Sequence, residues 1–149
     1  MEINSELITV YIPTYNRVKF LKRAVNSVLS QSHQNFELII VDDCSPDETI
    51  KYLEKLSASD SRILFFKNVK NSGACVSRNK AITEAKGRYI TGLDDDDEFT
   101  PDRLEFLLKN FKENYSFVCS SLIVIDSKKS RSSSCRDLVF NEQDLLYDN

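Results

Sequence analysis

An α/β fold with a mostly parallel central sheet is predicted by three features of the sequence. First, short runs rich in β-branched and aromatic residues recur: LITVYI (7–12), FELIIVD (36–42), RILFFK (62–67), RYITGLD (88–94) and FVCSSLIVID (117–126). Second, helical periodicity fills the gaps between them. Third, a polar motif follows each of the first four runs: PTYNR, DDCSPDE, NSGACVSRN and DDDDE. Strands alternating with helices imply βαβ units, whose sheets take ligands at the carboxyl ends of the strands.

Each element has its own justification. Val18, Leu21, Val25, Val28 and Leu29 share one face of a helix after the first strand. Ile50, Leu53 and Leu56 do so after the second, and a helix containing Arg78 begins near Gly73. Leu104, Leu107, Leu108 and Phe111 form the last apolar stripe, with Thr100 and Pro101 as its expected N-cap and first turn. His33, just past a helix end, reads as a polar residue favoured there by the helix dipole. After residue 126 the composition changes. SKKSRSSSCRD reads as a surface loop or linker, and DLVFNEQDLLYDN regains apolar residues as if to begin another helix. The expected division is an α/β domain over 1–126 and a loop or linker over 127–149, with the fold incomplete at the C-terminal end.

Composition excludes several functions. With 149 residues, 41% hydrophobic and 29% charged, the chain has the make-up of one ordinary soluble domain. A net charge of -3 and a pI near 5.2, with scattered basic residues, argue against a nucleic-acid partner. No apolar run is long enough to span a bilayer, and MEINSELITV lacks the features of a secretory signal, so a cytoplasmic protein is expected. The four cysteines show no C-x-x-C spacing and His33 is the only histidine, which leaves too few ligands for a zinc site.

The chemistry concentrates in carboxylates. Three glycines, Gly73, Gly87 and Gly92, cannot build a glycine-rich phosphate cradle, so a bound diphosphate would need a metal. Asp94, Asp95, Asp96 and Asp97 are hard oxygen ligands suited to Mg²⁺ or Mn²⁺. An exposed acidic loop capping the helix near Pro101 accounts for them as well, but their place after a strand favours the metal. Asp42 and Asp43 end the second strand, and one of the pair is expected to be free for a ligand such as a base edge. Asp47 reads as a helix cap. Tyr15 could stack on a base or anchor its loop. Arg78 could pair with a phosphate or bridge to nearby aspartates.

Taken in order, PTYNR, ELIIVDDCSPDET and NSGACVSRNKAITEAKGRYITGLDDDDEFTPDRLE resemble the nucleotide-sugar half of family 2 inverting glycosyltransferases with a GT-A fold, over about residues 7 to 125. The resemblance implies an α/β/α sandwich that binds a UDP-sugar, or another nucleotide diphosphate sugar, with Mn²⁺ or Mg²⁺. It implies that Pro13, Thr14 and Tyr15 contact the uracil, that Asp43 bonds its ring nitrogen, and that Arg78 and Asn79 line the nucleotide pocket. Asp95 would sit near the ribose. Asp96 would ligate the metal within Asp94-Asp95-Asp96, although the run of four aspartates leaves Asp94 or Asp97 as alternatives. No stretch matches the family's general base, so the chain is expected to be a donor-binding portion whose acceptor part, beginning in 127–149, lies elsewhere. The implied acceptor is a glycan or lipid-linked saccharide, at the inner face of the membrane if lipid-linked, and an unfinished fold could form a homodimer. Two rivals are weighed against this. A phospho-acceptor receiver module would need an acidic pair at the first strand, where PTYN stands. A sugar nucleotidyltransferase would need a glycine-rich basic loop that Pro13 to Arg17 does not contain.

Overall fold

The computed structural model describes residues 6–112, 114–125 and 130–133. In chain order its elements are β1 (Ile8–Thr14), α1 (Val18–Leu29), β2 (Phe36–Asp42), α2 (Thr49–Ser59), β3 (Ile63–Lys67), α3 (Ala74–Glu84), β4 (Tyr89–Gly92), α4 (Arg103–Asn110), β5 (Leu122–Ile125) and β6 (Ser130–Ser133). Two compact units divide the chain, Met1–Lys109 and Asn110–Asn149.

The first unit holds a four-stranded sheet in the order β3-β2-β1-β4, parallel at every pairing. Every residue of β2 is buried, as befits an interior strand covered on both faces. The strand period of two sorts its side chains. Phe36, Leu38 and Ile40 join Ile8, Val10 and Ile12 of β1 under Leu21, Val25 and Val28 of α1, Leu53 of α2 and Leu104 of α4. Ile39 and Val41 point the other way, to Ala81 of α3, with Tyr11, Phe66 and Ala85 packed around them. Three layers result: α1, α2 and α4, then the sheet, then α3.

One buried carboxylate sits within this sheet. Glu37 accepts hydrogen bonds from the Thr9 hydroxyl at 2.5 Å and from the backbone N–H groups of Lys86 and Gly87 at 2.6 and 3.2 Å. Its burial is therefore compensated, and the entry to β4 is fixed. A Cβ on Gly87 would lie 2.4 Å from the backbone nitrogen of Thr9, so only glycine fits this approach.

Some local expectations need correction. The last helix starts at Arg103 rather than at a Thr100 cap, because the carbonyls of Thr100 and Pro101 are turned toward α1, where the Gln31 side-chain amide and the Ser32 N–H reach them at 2.7 and 2.8 Å. His33, expected as a polar residue at a helix end, is buried. Its Nε2 lies 3.0 Å from the Glu6 carbonyl and 3.1 Å from that of Asn35, so this nitrogen carries the hydrogen and ties two chain segments together.

In the second unit, the run expected as a strand over 117–126 contributes only Leu122–Ile125, in an antiparallel pair with β6 instead of a parallel sheet. Ser130–Ser133 is thus a strand where a linker was expected. Strand pairing with β5 satisfies its backbone and overrides the low β-propensity of serine. The expected helix over DLVFNEQDLLYDN lies outside the described residues.

Candidate functional site

At the carboxyl ends of β1, β2 and β4 lies a cleft of about 370 Å³. Pro13 and Thr14 close β1 and form one wall with Tyr15, which is exposed. The chain then turns through Asn16 at φ 55°, its N–H held by the Ser45 hydroxyl at 2.8 Å, and delivers Arg17 to the rim. Opposite stand Asp43 and the first turns of α3, with Ala74, Ser77 and Arg78. Asp94, Asp95 and Asp96 complete the lining.

Asp43 is buried and heavily engaged. One carboxylate oxygen accepts from the Asn68 amide at 2.8 Å and the Ser72 N–H at 2.9 Å; the other accepts from Ser72 and Gly73 N–H groups at 3.0 and 2.7 Å. Burial alone would raise its pKa. The hydrogen bonds from Asn68, Ser72, Gly73 and Ser77 outweigh that effect and hold it below the ordinary 3.8, so Asp43 is an ionised acceptor. Asp42 is also buried and accepts from the Ser45 N–H at 3.0 Å. Both members of the pair are thus engaged by backbone N–H groups. Asp43 nonetheless lines the cleft, where its carboxylate oxygens can accept from a ligand.

The aspartate run is treated differently. Asp95 is buried and receives the Thr14 hydroxyl at 2.7 Å, which joins the ends of β1 and β4. Its neighbours face solvent and meet arginines: Arg78 reaches Asp94 at 2.7 Å, and a single nitrogen of Arg17 reaches Asp96 at 2.8 Å and Asp95 at 3.3 Å. The hydrogen bond to Asp94 raises the pKa of Arg78. Asp97 bonds back through its N–H to the Asp94 carbonyl at 3.0 Å and does not line the cleft. Its pKa is raised by partial desolvation and then by the charges of Asp96 and Asp94. Downstream the run is anchored by the Phe99 N–H on the Ser27 hydroxyl, 3.0 Å, and the Leu104 N–H on the side-chain Oε1 of Gln31, 3.0 Å.

The structure therefore gathers Pro13, Thr14, Tyr15, Asp43, Arg78, Asp94, Asp95 and Asp96 around one cleft. Asn79 is exposed on α3 and does not line it. Sequence reasoning missed Arg17, Asn68 and Ser77. Arg17 was visible as the last residue of PTYNR, whereas nothing local announces Asn68 as a partner of Asp43. Could the site hold a divalent cation? Among the described residues no three ligating side chains converge on one point. Asp94 and Asp96 nonetheless present half-exposed hard oxygens to the cleft. Those residues fit Mg²⁺ or Mn²⁺, which take one or two protein carboxylates and complete their shell with phosphate and water.

The sequence profile described as Glycosyl transferase family 2 matches residues 9–147. The chain belongs to this family. Family 2 membership separates it from the receiver and nucleotidyltransferase alternatives. Among its relatives are WcaA of Escherichia coli (strain K12), 50% identical over 107 residues, and TuaG of Bacillus subtilis (strain 168), 43% identical over 123 residues. Their names associate them with the biosynthesis of colanic acid and teichuronic acid. The matches cover 70% and 80% of this chain but 38% and 49% of those proteins, so the chain spans less than half the length of either. The crystal structure of Staphylococcus aureus TarS 1-349 in complex with UDP superposes with a TM-score of 0.62 at 31% identity, over 66% of this chain and 30% of that one. TarS 1-349 is also known in complex with UDP-GlcNAc. The family 2 domain described here accordingly has the GT-A fold, a parallel β3-β2-β1-β4 sheet between helices. Among its described residues no helix is long and apolar enough to cross a membrane.

Proposed function

We propose that this domain binds a nucleotide diphosphate sugar, a UDP-sugar first among them, and serves its transfer to an acceptor hydroxyl with inversion at the anomeric carbon. The observation that carries the reading is the convergence of the β1 end, Asp43 and the Asp94 to Asp96 run on one cleft. The UDP and UDP-GlcNAc complexes of TarS, at 31% identity, support the choice of donor.

Tyr15 offers an exposed ring beside Pro13 for stacking on the base. Asp43, kept ionised, has an acceptor for a ring N–H and no proton to give, which selects a base edge that donates. Asp95, pinned by Thr14 and lining the cleft, would accept from a ribose hydroxyl. Asp96 would hold a Mn²⁺ or Mg²⁺ ion, with Asp94 or Asp97 as alternative ligands; when bound, that ion offsets negative charge on a departing diphosphate. Arg78 is placed to pair with phosphate oxygens once released from Asp94. Asn79, from its exposed position, would act only after a local rearrangement.

On this reading residues 1–126 form the donor part and residues 127–149 begin an acceptor-binding part. The acceptor, a glycan or lipid-linked saccharide, loses its proton to a carboxylate that we place in the acceptor part, and attacks from the face opposite the diphosphate. No residue of the donor cleft is assigned that role. The whole protein would act in the cytoplasm, at the inner membrane face if its acceptor is lipid-linked.

Calorimetric titration of UDP, with and without Mn²⁺, tests the reading on the parent and on Asp96→Ala. Metal-dependent binding that weakens at least about ten-fold in the variant, equivalent to about 1.4 kcal/mol, is expected. A folded parent that ignores UDP in both conditions would overturn the donor assignment.

A further inference from the structure

The aspartates assigned to the cation are not idle in the protein alone. A single guanidinium nitrogen of Arg17 lies 2.8 Å from Asp96 and 3.3 Å from Asp95, and Arg17 lines the same cleft as both. A metal ion held by Asp96 would therefore compete with this guanidinium for the carboxylate. Arg17 stands just before α1, after the turn fixed by Asn16 and Ser45, so its backbone is held while its side chain is half exposed and able to swing.

Resting on the donor reading above, we propose that Arg17 is a displaceable counter-ion that couples metal binding to diphosphate binding. With the cleft empty of ligand, Arg17 neutralises Asp96 and weakens a bare divalent cation. A diphosphate gives the guanidinium an alternative anionic partner of matching geometry. Arg17 then leaves Asp96 at no loss of pairing, and the carboxylate is free for the cation. By linkage the cation strengthens diphosphate binding by the same factor. Arg78 makes the corresponding pair with Asp94, but from α3 on the opposite wall and with one carboxylate only. The bridge over two adjacent aspartates singles out Arg17 as the competitor for Asp96.

Binding of Mn²⁺ followed by electron paramagnetic resonance, alone and with saturating UDP, tests this on the parent, Arg17→Gln and Arg17→Lys. An exposed pair is worth little, so the expected change is modest. Arg17→Gln should bind Mn²⁺ alone up to about five-fold more tightly and show a smaller gain on adding UDP. Arg17→Lys, which keeps the charge, should lie between it and the parent. Unchanged or weaker binding of Mn²⁺ alone by Arg17→Gln, in a sample with the parent's thermal midpoint, would overturn the proposal. If UDP adds nothing to Mn²⁺ affinity in the parent, the coupling fails. Direct UDP binding in the same samples then tells whether the donor reading falls with it.

Discussion

Two carboxylates face the same cleft from opposite walls and live in different worlds. Asp43 is buried, and backbone N–H groups about thirty residues along the chain are spent on it; Asp96 is half exposed and held by one half-exposed arginine. The contrast separates a group that builds the site from a group that the site leaves available. Asp43 turns the segment before α3 toward the end of β2, so its loss is a loss of architecture. Asp96 is paired with Arg17 at the rim of the cleft, so its loss is a loss of chemistry.

The largest effect tests the building role. Asp43→Ala strands the Ser72 and Gly73 N–H groups and the Asn68 amide and should cost about 3 kcal/mol of folding stability, measured by urea denaturation. A loss below about 1 kcal/mol would show that these donors find water as easily as they find Asp43. Gly73→Ala strikes the same contact from the other side. Gly73 sits at φ 88°, ψ 158°, where a side chain is strained although nothing lies within 4 Å of an added Cβ. Its expected cost is about 2 kcal/mol, all of it from the backbone. Because the Gly73 N–H aims at Asp43, the double variant should cost less than the sum of the two.

The next effect sharpens the other side of the comparison. Asp96→Ala should leave stability within about 0.5 kcal/mol of the parent while removing metal-dependent UDP binding, since it deletes an exposed pair and no buried contact. Stability lost in step with binding would place Asp96 with Asp43 among the building groups.

This division also marks what could be read in the sequence. Strand and helix periods, which depend on neighbours two to four residues away, located β2 at its observed bounds and the apolar face of α1. The four aspartates were visible as a motif, and Arg78 as a possible partner, but Arg17 and Thr14, which hold Asp95 and Asp96, lie some eighty residues earlier, and no local pattern encodes such a pairing. The same holds for Asn68 with Asp43 and for Gln31 with the chain entering α4. His33 was read as a polar residue favoured by the helix dipole, whereas two backbone carbonyls outside that helix hold its ring. Ser130–Ser133 was misjudged because composition says loop while a pairing partner says strand.

The smallest effect concerns protons. Asp43 has its pKa held below the ordinary aspartate value in the fold, by hydrogen bonds that outweigh the cost of burial. Such a group stabilises the fold fully above the unfolded-state value near 3.9, and the contribution disappears as pH falls through the lower folded value. Asp47 and Asp60 share this direction, the first against its own burial through Thr49 and the Val18 N–H, the second through Arg62. Stability should therefore be level down to about pH 5 and decline below pH 4. In Asp43→Asn the acid decline should be shallower, because one of the carboxylates that drive it is gone. Parallel curves for the two proteins would mean that the donors around Asp43 serve a neutral partner equally well, and that the site needs its shape rather than its charge.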